Sequence, residues 1–520
     1  MVKQFGALPI GLRGLIFVLV VLGIFFRVVN LDGKVYWHDE VFTSIRAAGY
    51  VGDEIESQIF NGTVLSADDL LIYQRLNPEK GIDDTLYALT THPEHPPLYY
   101  LMVRGWMELF GSSVTAIRSL SVLSSLLTFP ALYWLCLELF GSARVGGMAI
   151  ALFAVSPFHI LYAQEARHYS LWTLVTVLSC AALLRAMRGK TWQSWGIYTL
   201  TLILSFYTSL FSALVVIAHG ICVLASDSLR WTVTLRNFLI AGVLGAIAFT
   251  PWLAVLVGNW FQFRNKTGWT EIPFPPSFLL KLWGLHLSSN FIDPGLQIDN
   301  IYTYIVPPLT LILVGYALYY LRRTTPRRAW VLIFSLIGIT ALVLILPDLI
   351  WGGRRSSQTR YFVPLLTAAQ LAVAFLLSQM LIRARSAQQW IWQSITVVVI
   401  TAGVVSGSII IQADTWWSKV VSYSNPAIAS VLNQMPAPLV ISSTGSVNMG
   451  NVISLSYLVE PTVKFQLVRD PNVPDIPEGF SHYVLFYPTE TLIQRLQEVY
   501  NFTIESFEDK RIPLMKITRP

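Results

Sequence analysis

The sequence predicts an α-helical polytopic membrane protein with about eleven transmembrane helices and a small C-terminal α/β domain. Of its 520 residues, 54% are hydrophobic and only 13% are charged, whereas a soluble domain carries about 25% charged residues. Apolar runs of about 20 residues recur along the chain, and each is long enough to cross the roughly 30 Å hydrocarbon core as a helix. After residue 411 the composition changes abruptly to that of a small soluble domain.

The apolar runs define the predicted spans. The first run lacks a small-residue cleavage site, so we expect a retained first helix rather than a removed signal peptide. Residues 194–226 form one long apolar run, which must turn near Tyr207-Thr208-Ser209 to make two spans. The predicted spans are 9–29, 116–140, 145–163, 168–186, 194–207, 208–226, 237–257, 302–321, 329–347, 361–382 and 391–411.

The basic residues between the spans predict the orientation. The apolar stretch 96–110 is short and carries Arg104 and Glu108, which suits an interfacial helix along the membrane better than a span. If this stretch does not cross, every short basic loop falls on the cytoplasmic side, as the positive-inside rule requires. The cations that this topology places inside are Lys3, Arg13, Arg144, Arg185, Arg188, Lys190, Arg230, Arg236, Arg322, Arg323, Arg327, Arg328, Arg383 and Arg385.

This topology predicts two domains. Residues 1–411 form a transmembrane module whose outside loop 30–115 carries interfacial helices, and a second long outside loop covers 258–301. Residues 412–520 form an extracytoplasmic α/β domain, because their apolar patterns are those of short strands and one amphipathic helix. The predicted strands are 438–443, 463–468, 482–487 and 512–517, and the predicted helix is 489–500.

Charge and cysteine content exclude several classes of function. The net charge of +6 does not indicate a nucleic-acid partner, because the basic residues lie between apolar runs, where they set orientation. Cys136, Cys180 and Cys222 all lie inside apolar runs. We expect them to be small buried residues rather than disulfides or zinc ligands.

The first outside loop opens with an acidic motif, Trp37-His38-Asp39-Glu40. A carboxylate at the membrane surface can deprotonate an acceptor hydroxyl or hold a divalent cation. The alternative is structural: Asp39 could cap the amphipathic segment 41–48. The motif alone leaves both interpretations open.

Two further motifs face the same side. The first loop ends with His92-Pro93-Glu94-His95-Pro96-Pro97-Leu98-Tyr99-Tyr100, where His95 could bind an acceptor or a metal, or simply mark a helix start. The third span ends at Gln164-Glu165-Ala166-Arg167-His168-Tyr169. Glu165 is a second acidic centre there, or alternatively part of a salt-bridged turn.

Arginines mark a third feature. Arg354, Arg355 and Arg360 precede the tenth span on the outside, against the charge rule that the other loops obey. Arginine forks match phosphate oxygens, so these residues and the adjacent Tyr361 are candidates to bind a lipid phosphate. Ordinary attraction to lipid headgroups is the alternative. Arg118, in the first turn of the second span, is a functional candidate because ionisable residues in spans usually are; the alternative is that its side chain snorkels to the interface.

Acidic residues for acid–base work and basic residues for a phosphate, at one face of the membrane, favour transfer of a group from a lipid-linked phosphate donor. A transporter or flippase of a lipid-linked or anionic solute is the alternative. Transporters place ionisable residues or broken helices near the middle of the membrane, often in paired halves. Here the charges cluster at helix ends, which favours an enzyme.

The order and spacing of these motifs over about residues 5–410 resemble the bacterial members of the dolichyl-phosphate-mannose protein mannosyltransferase superfamily, which are GT-C fold glycosyltransferases that include aminoarabinose transferases and families 39 and 83. The resemblance implies an inverting transferase that uses a polyprenyl-monophosphate sugar. Asp39 would be the catalytic base with Glu40 as its neighbour, and Glu165 the second acidic residue. Arg360 would hold the lipid phosphate, and Arg118 would order the first loop.

The resemblance also sets expectations for the remaining site residues, the cofactor, the partners and the location. We expect His95, Arg167 and His168 to organise the site with Arg118. A divalent metal (Mg, Mn or Zn) is a possible cofactor, with Asp39, Glu165 and His95 as candidate ligands, and no nucleotide cofactor is expected. The expected partners are a polyprenyl-phosphate-linked sugar, membrane lipids and a glycan, lipid or protein acceptor, but no nucleic acid. The expected location is the bacterial inner membrane, with the active site and C-terminal domain extracytoplasmic.

Overall fold

The chain folds as two compact units in a computed structural model that describes residues 10–295, 300–383, 386–445, 448–507 and 512–518. Lys3 and Arg385, two of the cations used to predict the orientation, lie outside the described residues. The first unit comprises Met1–Leu31, His92–Tyr99 and Arg118–Gln412. The second comprises Asp32–Thr91, Tyr100–Ile117 and Ala413–Pro520.

Helices dominate the described residues, because the long apolar runs leave their backbone no other way to satisfy its hydrogen bonds in lipid. The helices up to the sixth predicted span are α1 Ile10–Val28, α2 His38–Ala47, α3 Gly52–Ile59, α4 Ala67–Leu71, α5 Ile82–Thr90, α6 Leu98–Phe110, α7 Val114–Phe140, α8 Ala143–Ala154, α9 Pro157–Ala163, α10 Tyr169–Gly189, α11 Trp192–Thr208 and α12 Ser212–Ser226. The later helices are α13 Val233–Gly258, α14 Trp260–Thr267, α15 Pro276–Ser288, α16 Val306–Thr324, α17 Arg327–Ile350, α18 Val363–Arg383, α19 Ser386–Ile410, α20 Asn425–Leu432, α21 Asn448–Ser456 and α22 Glu490–Tyr500.

The predicted spans correspond to observed helices. Each of them coincides with one helix, except 145–163, which is the bent pair α8 and α9 with an angle of 62° between its helices. Within the described ranges, seven helices are long and apolar enough to cross a membrane, or eight if the bent pair counts as one span. The protein is therefore an integral membrane protein, and its predicted helical fold is confirmed, while the count of eleven spans stays a prediction.

The bend between α8 and α9 has a clear physical cause. Pro157 has no N–H to donate to Phe153 O, and the N–H of Phe158 donates instead to Ser289 O at 2.8 Å. The two carbonyls released at the end of α8 accept hydrogen bonds from the Arg27 guanidinium, at 2.9 Å for Phe153 O and 2.8 Å for Ala154 O. Arg27 also donates to Ser125 Oγ at 2.8 Å. This fully buried arginine thus caps a broken helix and ties α1 to α7 and α8.

The short helix α6 packs in the second unit against the helices of the first loop. Arg104 is buried and donates to Thr85 Oγ1 on α5 at 3.0 Å and to Lys80 O at 2.6 Å. Its Nε also lies 3.1 Å from a Glu108 carboxylate oxygen. The helix has 13 residues and a length of about 20 Å, too short for the hydrocarbon core. Its length and contacts agree with the prediction that residues 96–110 do not form a span.

The second unit contains one six-stranded sheet in the order β1-β3-β2-β4-β6-β5. Strands β2 to β4 are mutually parallel neighbours, and the outer strands pair antiparallel. Leu439, Ile441, Leu485, Leu492 and Leu496 belong to the buried core beneath α22. The strands are β1 Asn61–Ser66, β2 Pro438–Ser443, β3 Lys464–Val468, β4 His482–Phe486, β5 Thr503–Ser506 and β6 Leu514–Thr518. The four predicted strands and the predicted helix are all present.

The sheet joins two segments that the sequence analysis assigned to different domains. Strand β1 comes from the first outside loop, yet it pairs with β3 of the C-terminal segment, with Leu65 opposite Phe465. Most of loop 30–115 therefore folds into one unit with residues 413–520 rather than with the spans. The reason is backbone pairing: β1 covers an edge of the sheet that would otherwise present unpaired donors and acceptors.

Candidate active site

The acidic motif of the first loop lies at the start of α2. This helix begins at His38 with Trp37 as its N-cap residue, so Asp39 lies within the first turn and is not the cap. The capping alternative for Asp39 is therefore wrong. Carboxylates in a first turn are stabilised by the positive end of the helix dipole, so this position suits an ionised base.

The two adjacent carboxylates of the motif lie in different environments within the second unit. Asp39 is half-buried, whereas Glu40 has no exposed surface. A Glu40 carboxylate oxygen accepts the Trp37 N–H at 3.4 Å and lies 3.8 Å from Lys419 Nζ. Solvent access thus distinguishes the two carboxylates: Asp39 is partly open to solvent, whereas Glu40 is engaged inside the protein.

In the first unit, the segment that follows α9 is fixed to the end of α1. Gln164 Nε2 donates to Phe26 O at 2.9 Å and to Val29 O at 3.0 Å, which satisfies carbonyls that a helix end leaves without partners. The next residue, Glu165, is 1% exposed, and its carbonyl accepts the Arg167 N–H at 2.8 Å. The bend after α8 and this anchor together set the position of Glu165 and Arg167.

The loop before α6 reaches the same segment. Tyr99 Oη lies 2.8 Å from Ser121 Oγ, which donates to Arg167 O at 3.2 Å. The His168 ring lies 6.4 Å from the rings of both His95 and Tyr99. The motif with His95 and the motif with Glu165, separated along the chain, are therefore neighbours within the first unit.

His95 is also close to an acidic partner on its own loop. One Glu94 carboxylate oxygen lies 3.7 Å from His95 Nε2 and 3.5 Å from His92 Nδ1. Trp252 of α13 donates its indole N–H to Pro93 O at 3.3 Å, which holds the loop. The placement suits a site-organising role for His95.

Two arginines meet at one aromatic ring. The guanidinium carbons of Arg167 and Arg360 each lie 5.9 Å from the centre of the Tyr169 ring, within cation–π range. Arg360 also lies 5.7 Å from the Tyr361 ring, which packs on Phe211 with centroids 4.8 Å apart. Two positive charges therefore lie within reach of one aromatic ring, an arrangement that would favour an anion nearby.

Arg118 is buried where the chain leaves the first span. It has no exposed surface, and its Nη1 donates to Leu31 O at 2.7 Å. Because Leu31 is the last residue of the first unit before the loop, this contact fixes the point from which the loop starts. The role of Arg118 in ordering the first loop stays a prediction.

Known proteins share this architecture. Residues 94–255 match the family model for dolichyl-phosphate-mannose-protein mannosyltransferase. The apo structure of ArnT from Cupriavidus metallidurans matches with a TM-score of 0.57 and 13% identity over 97% of this chain and 98% of that chain. ArnT from the same organism bound to undecaprenyl phosphate gives a TM-score of 0.52 and 15% identity, with the same shares of both chains. No curated protein sequence matches the chain.

The chain thus shares its fold with ArnT, and residues 94–255 are similar to the mannosyltransferase family. The ArnT matches show a shared fold, while the family match covers the region from Glu94 of the His95 motif to α13. That region includes Arg118, Glu165, Arg167 and His168. Asp39 and Arg360 lie outside it, so their roles rest on the geometry and on the motifs.

Two of the predicted phosphate-binding arginines are engaged elsewhere. Arg354 Nε donates to Trp269 O at 2.8 Å, and its guanidinium lies 5.4 Å from the Trp269 ring. Arg355 lies 3.2 Å from the buried carboxylate of Asp348, which also accepts the Ser356 N–H at 2.7 Å. These contacts fix the loop before α18. Arg360 is the one of the three whose guanidinium reaches the Tyr169 cluster.

The described residues contain no preformed cluster of metal ligands that would match the expected divalent metal. Among the described residues, no group of three or more His, Cys, Asp or Glu side chains is arranged to hold a metal ion. Of the candidate ligands, Glu165 and His95 belong to the first unit and Asp39 to the second. We therefore assign no chemical step to a metal.

Sequence reasoning missed several residues of this site. Tyr169 and Ser121 carry the contacts between motifs, and Lys419 pairs with Glu40, but none was a predicted site residue. Tyr169 directly follows His168, so its place in the motif was a usable signal. Asp348 offered another, because a carboxylate at the end of an apolar run close to three arginines predicts an ion pair. For Lys419 the local sequence carries no such signal.

Proposed function

We propose that this protein is an inverting glycosyltransferase that moves a sugar from a polyprenyl-monophosphate donor to an acceptor hydroxyl on the extracytoplasmic face of the membrane. The observation that carries the proposal is the meeting of Arg167 and Arg360 at the Tyr169 ring. Guanidiniums are common protein partners of a phosphate, because their N–H groups match its oxygens. Undecaprenyl phosphate, which is bound in the ArnT structure of the same fold, is a ligand of this class.

The charge change during transfer explains why arginine is needed. A sugar joined to a polyprenyl phosphate is a phosphodiester with one negative charge. When the bond between the anomeric carbon and the phosphate oxygen breaks, the electron pair leaves with the phosphate, which becomes a monoester with two negative charges. Arg360, with Arg167 nearby, would stabilise the charge that develops in the transition state. Tyr361, whose ring lies against Arg360, would hold that guanidinium in place.

The other half of the reaction needs a base. The acceptor oxygen forms a bond to the anomeric carbon as its proton passes to a carboxylate, and in-line displacement inverts the configuration. We assign this role to Asp39, because it is half-buried in the first turn of α2 while Glu40 is enclosed. Glu165, which shares a loop with Arg167, is the second acidic residue. The cations of α10 and α16, placed inside by the charge rule, support an extracytoplasmic site.

The transporter alternative has less support. Transport of an anion calls for ionisable side chains near the middle of spans. Arg27 lies one residue from the end of α1, where it caps α8. Glu138 lies near the end of α7, where it accepts a hydrogen bond from Arg188 at 2.7 Å. Both buried charges serve the packing of helix ends.

The test is sugar transfer in membranes. Undecaprenyl phosphates that carry radiolabelled mannose, glucose or arabinose would be supplied to membranes that contain the protein and endogenous acceptors. We expect label to move from the lipid fraction to a stable glycoside with inverted anomeric configuration. Uptake or flipping of the labelled lipid without any new glycosidic bond would support the transporter and refute the transferase.

A further inference from the structure

A buried ion pair links the acidic motif to the C-terminal segment. Lys419 Nζ lies 3.8 Å from a carboxylate oxygen of Glu40, and both side chains have no exposed surface. The ammonium also lies 5.2 Å from the centre of the Trp37 ring. A charge with no exposed surface is costly unless it is paired. The ion pair therefore offsets part of the cost of burying each charge, although the two residues lie almost 400 residues apart along the chain.

The segment that carries Lys419 runs beside the whole motif. Val35 N–H donates to Asp414 O at 2.8 Å, and His38 N–H donates to Ser422 Oγ at 3.1 Å. These two bonds lie on either side of Trp37 and just before Glu40. Residues 414–422, which we call the C-terminal strap, thus hold the backbone of the motif where α2 begins.

A second element of the C-terminal segment packs on the same motif. A Cβ added to Gly450 of α21 would come within 2.6 Å of His38 Nδ1, so only glycine allows this close approach. The Tyr36 and Tyr457 rings meet edge to face with centroids 5.1 Å apart. The motif is therefore held by the C-terminal segment through the strap and through α21.

We propose that Lys419 is a positioning residue for glycosyl transfer, an inference that rests on the proposed function and deepens it. By pairing with Glu40, it fixes the first turn of α2 and so aims the neighbouring Asp39 at the acceptor hydroxyl. Lys419 is enclosed and does not touch substrate. The C-terminal segment thereby helps to position the catalytic base.

At this position, the orientation of the Asp39 carboxylate should affect the rate more than it affects donor binding. Asp39 and Glu40 share the first helical turn, so a shift of Glu40 moves Asp39 with it. A displacement of about 1 Å at a reacting group can lower the rate about 100-fold. The arginines assigned to the donor phosphate belong to the first unit. Loss of the ion pair should therefore lower turnover and leave donor affinity almost unchanged.

The experiment compares Lys419→Met with Lys516→Met in the full-length protein. Lys516 is an exposed lysine on β6 of the same unit, so its replacement removes an equal charge without touching the motif. We expect Lys419→Met to lower turnover about 10- to 100-fold at saturating donor, with the donor KM within about twofold of wild type. Lys516→Met should match wild type, and Lys419→Arg, which keeps the charge, should recover part of the loss.

The double variant Glu40→Gln/Lys419→Met separates positioning from folding. It removes both buried charges, so its thermal stability should exceed that of Lys419→Met, while its turnover should remain low because Asp39 is no longer aimed. Turnover that recovers together with stability would show that the pair serves folding alone, and would overturn the inference.

Two further outcomes are distinguishable. If wild type transfers sugar and a folded Lys419→Met is equally fast, the inference fails and the proposed function stands. If wild type transfers no sugar from any of the three donors, the proposed function fails, and a catalytic purpose for Lys419 fails with it.

Discussion

Replacement of Arg360 by alanine tests the assignment of the phosphate site. A charge-assisted hydrogen bond contributes about 1.5–3 kcal/mol, which corresponds to about a 10- to 150-fold rise in the donor KM. Arg167 also lies 5.9 Å from the Tyr169 ring, so one guanidinium remains in the variant and the effect should fall toward the lower end. Turnover should fall as well, but by less than KM rises, because the anchor acts in both the ground state and the transition state.

The assay measures transfer against donor concentration, with direct binding of undecaprenyl phosphate in parallel. The matched control is Arg264→Ala, which removes an exposed cation on α14 of the same unit and should leave the donor KM unchanged. Arg360→Lys should give an intermediate KM, because an ammonium keeps the charge but loses the fork. An Arg360→Ala variant that binds donor as wild type does would refute the phosphate assignment.

Two other predictions concern stability and topology. Arg27→Met removes the guanidinium that donates to the carbonyls of Phe153 and Ala154, so it should cost about 1–3 kcal/mol. Thermal unfolding in detergent should show a clear drop in stability for this variant but not for the exposed control Arg236→Met, and equal stability of the two variants would contradict the capping role. Cysteines introduced at the exposed positions Thr63 and Gln497 should both react with an impermeant thiol reagent from outside the cell. A cysteine at Gln193 should react only after permeabilisation. The three native cysteines are buried and give little background. Labelling of Gln193→Cys in intact cells would reverse the orientation.

The spans were predictable because hydrophobicity acts locally. A run of about 20 apolar residues must be a helix in lipid whatever surrounds it, and each predicted span coincides with a helix or a helix pair. One predicted span differs from a single straight helix, because it bends after α8. Pro157 signalled a break there, but the donor that makes the break tolerable, Arg27, comes from α1, and no local pattern connects the two.

Long-range pairing was the part that sequence patterns missed. Strand β1 is the short polar stretch Asn61–Ser66, without the alternation typical of a half-buried strand, and its partner β3 lies about 400 residues later. The same separation hid the contact between Glu40 and Lys419. The motifs themselves were visible because their residue types are rare at the ends of apolar runs. The sequence did not show which arginine is available for the phosphate, because Arg354, Arg355 and Arg360 are alike as residues. Only the structure shows that Arg355 pairs with Asp348 and that Arg354 donates to Trp269 O.

The central claim is that Asp39 is the base of a glycosyl transfer, and Asp39→Asn tests it most directly. Asparagine keeps the size and much of the hydrogen bonding of aspartate but cannot accept the proton. The variant should transfer sugar about 10²- to 10⁴-fold more slowly than wild type, while undecaprenyl phosphate binds as before, because the arginines are untouched. An Asp39→Asn protein with near-normal turnover would contradict the account and move the role of base to Glu165 or Glu40.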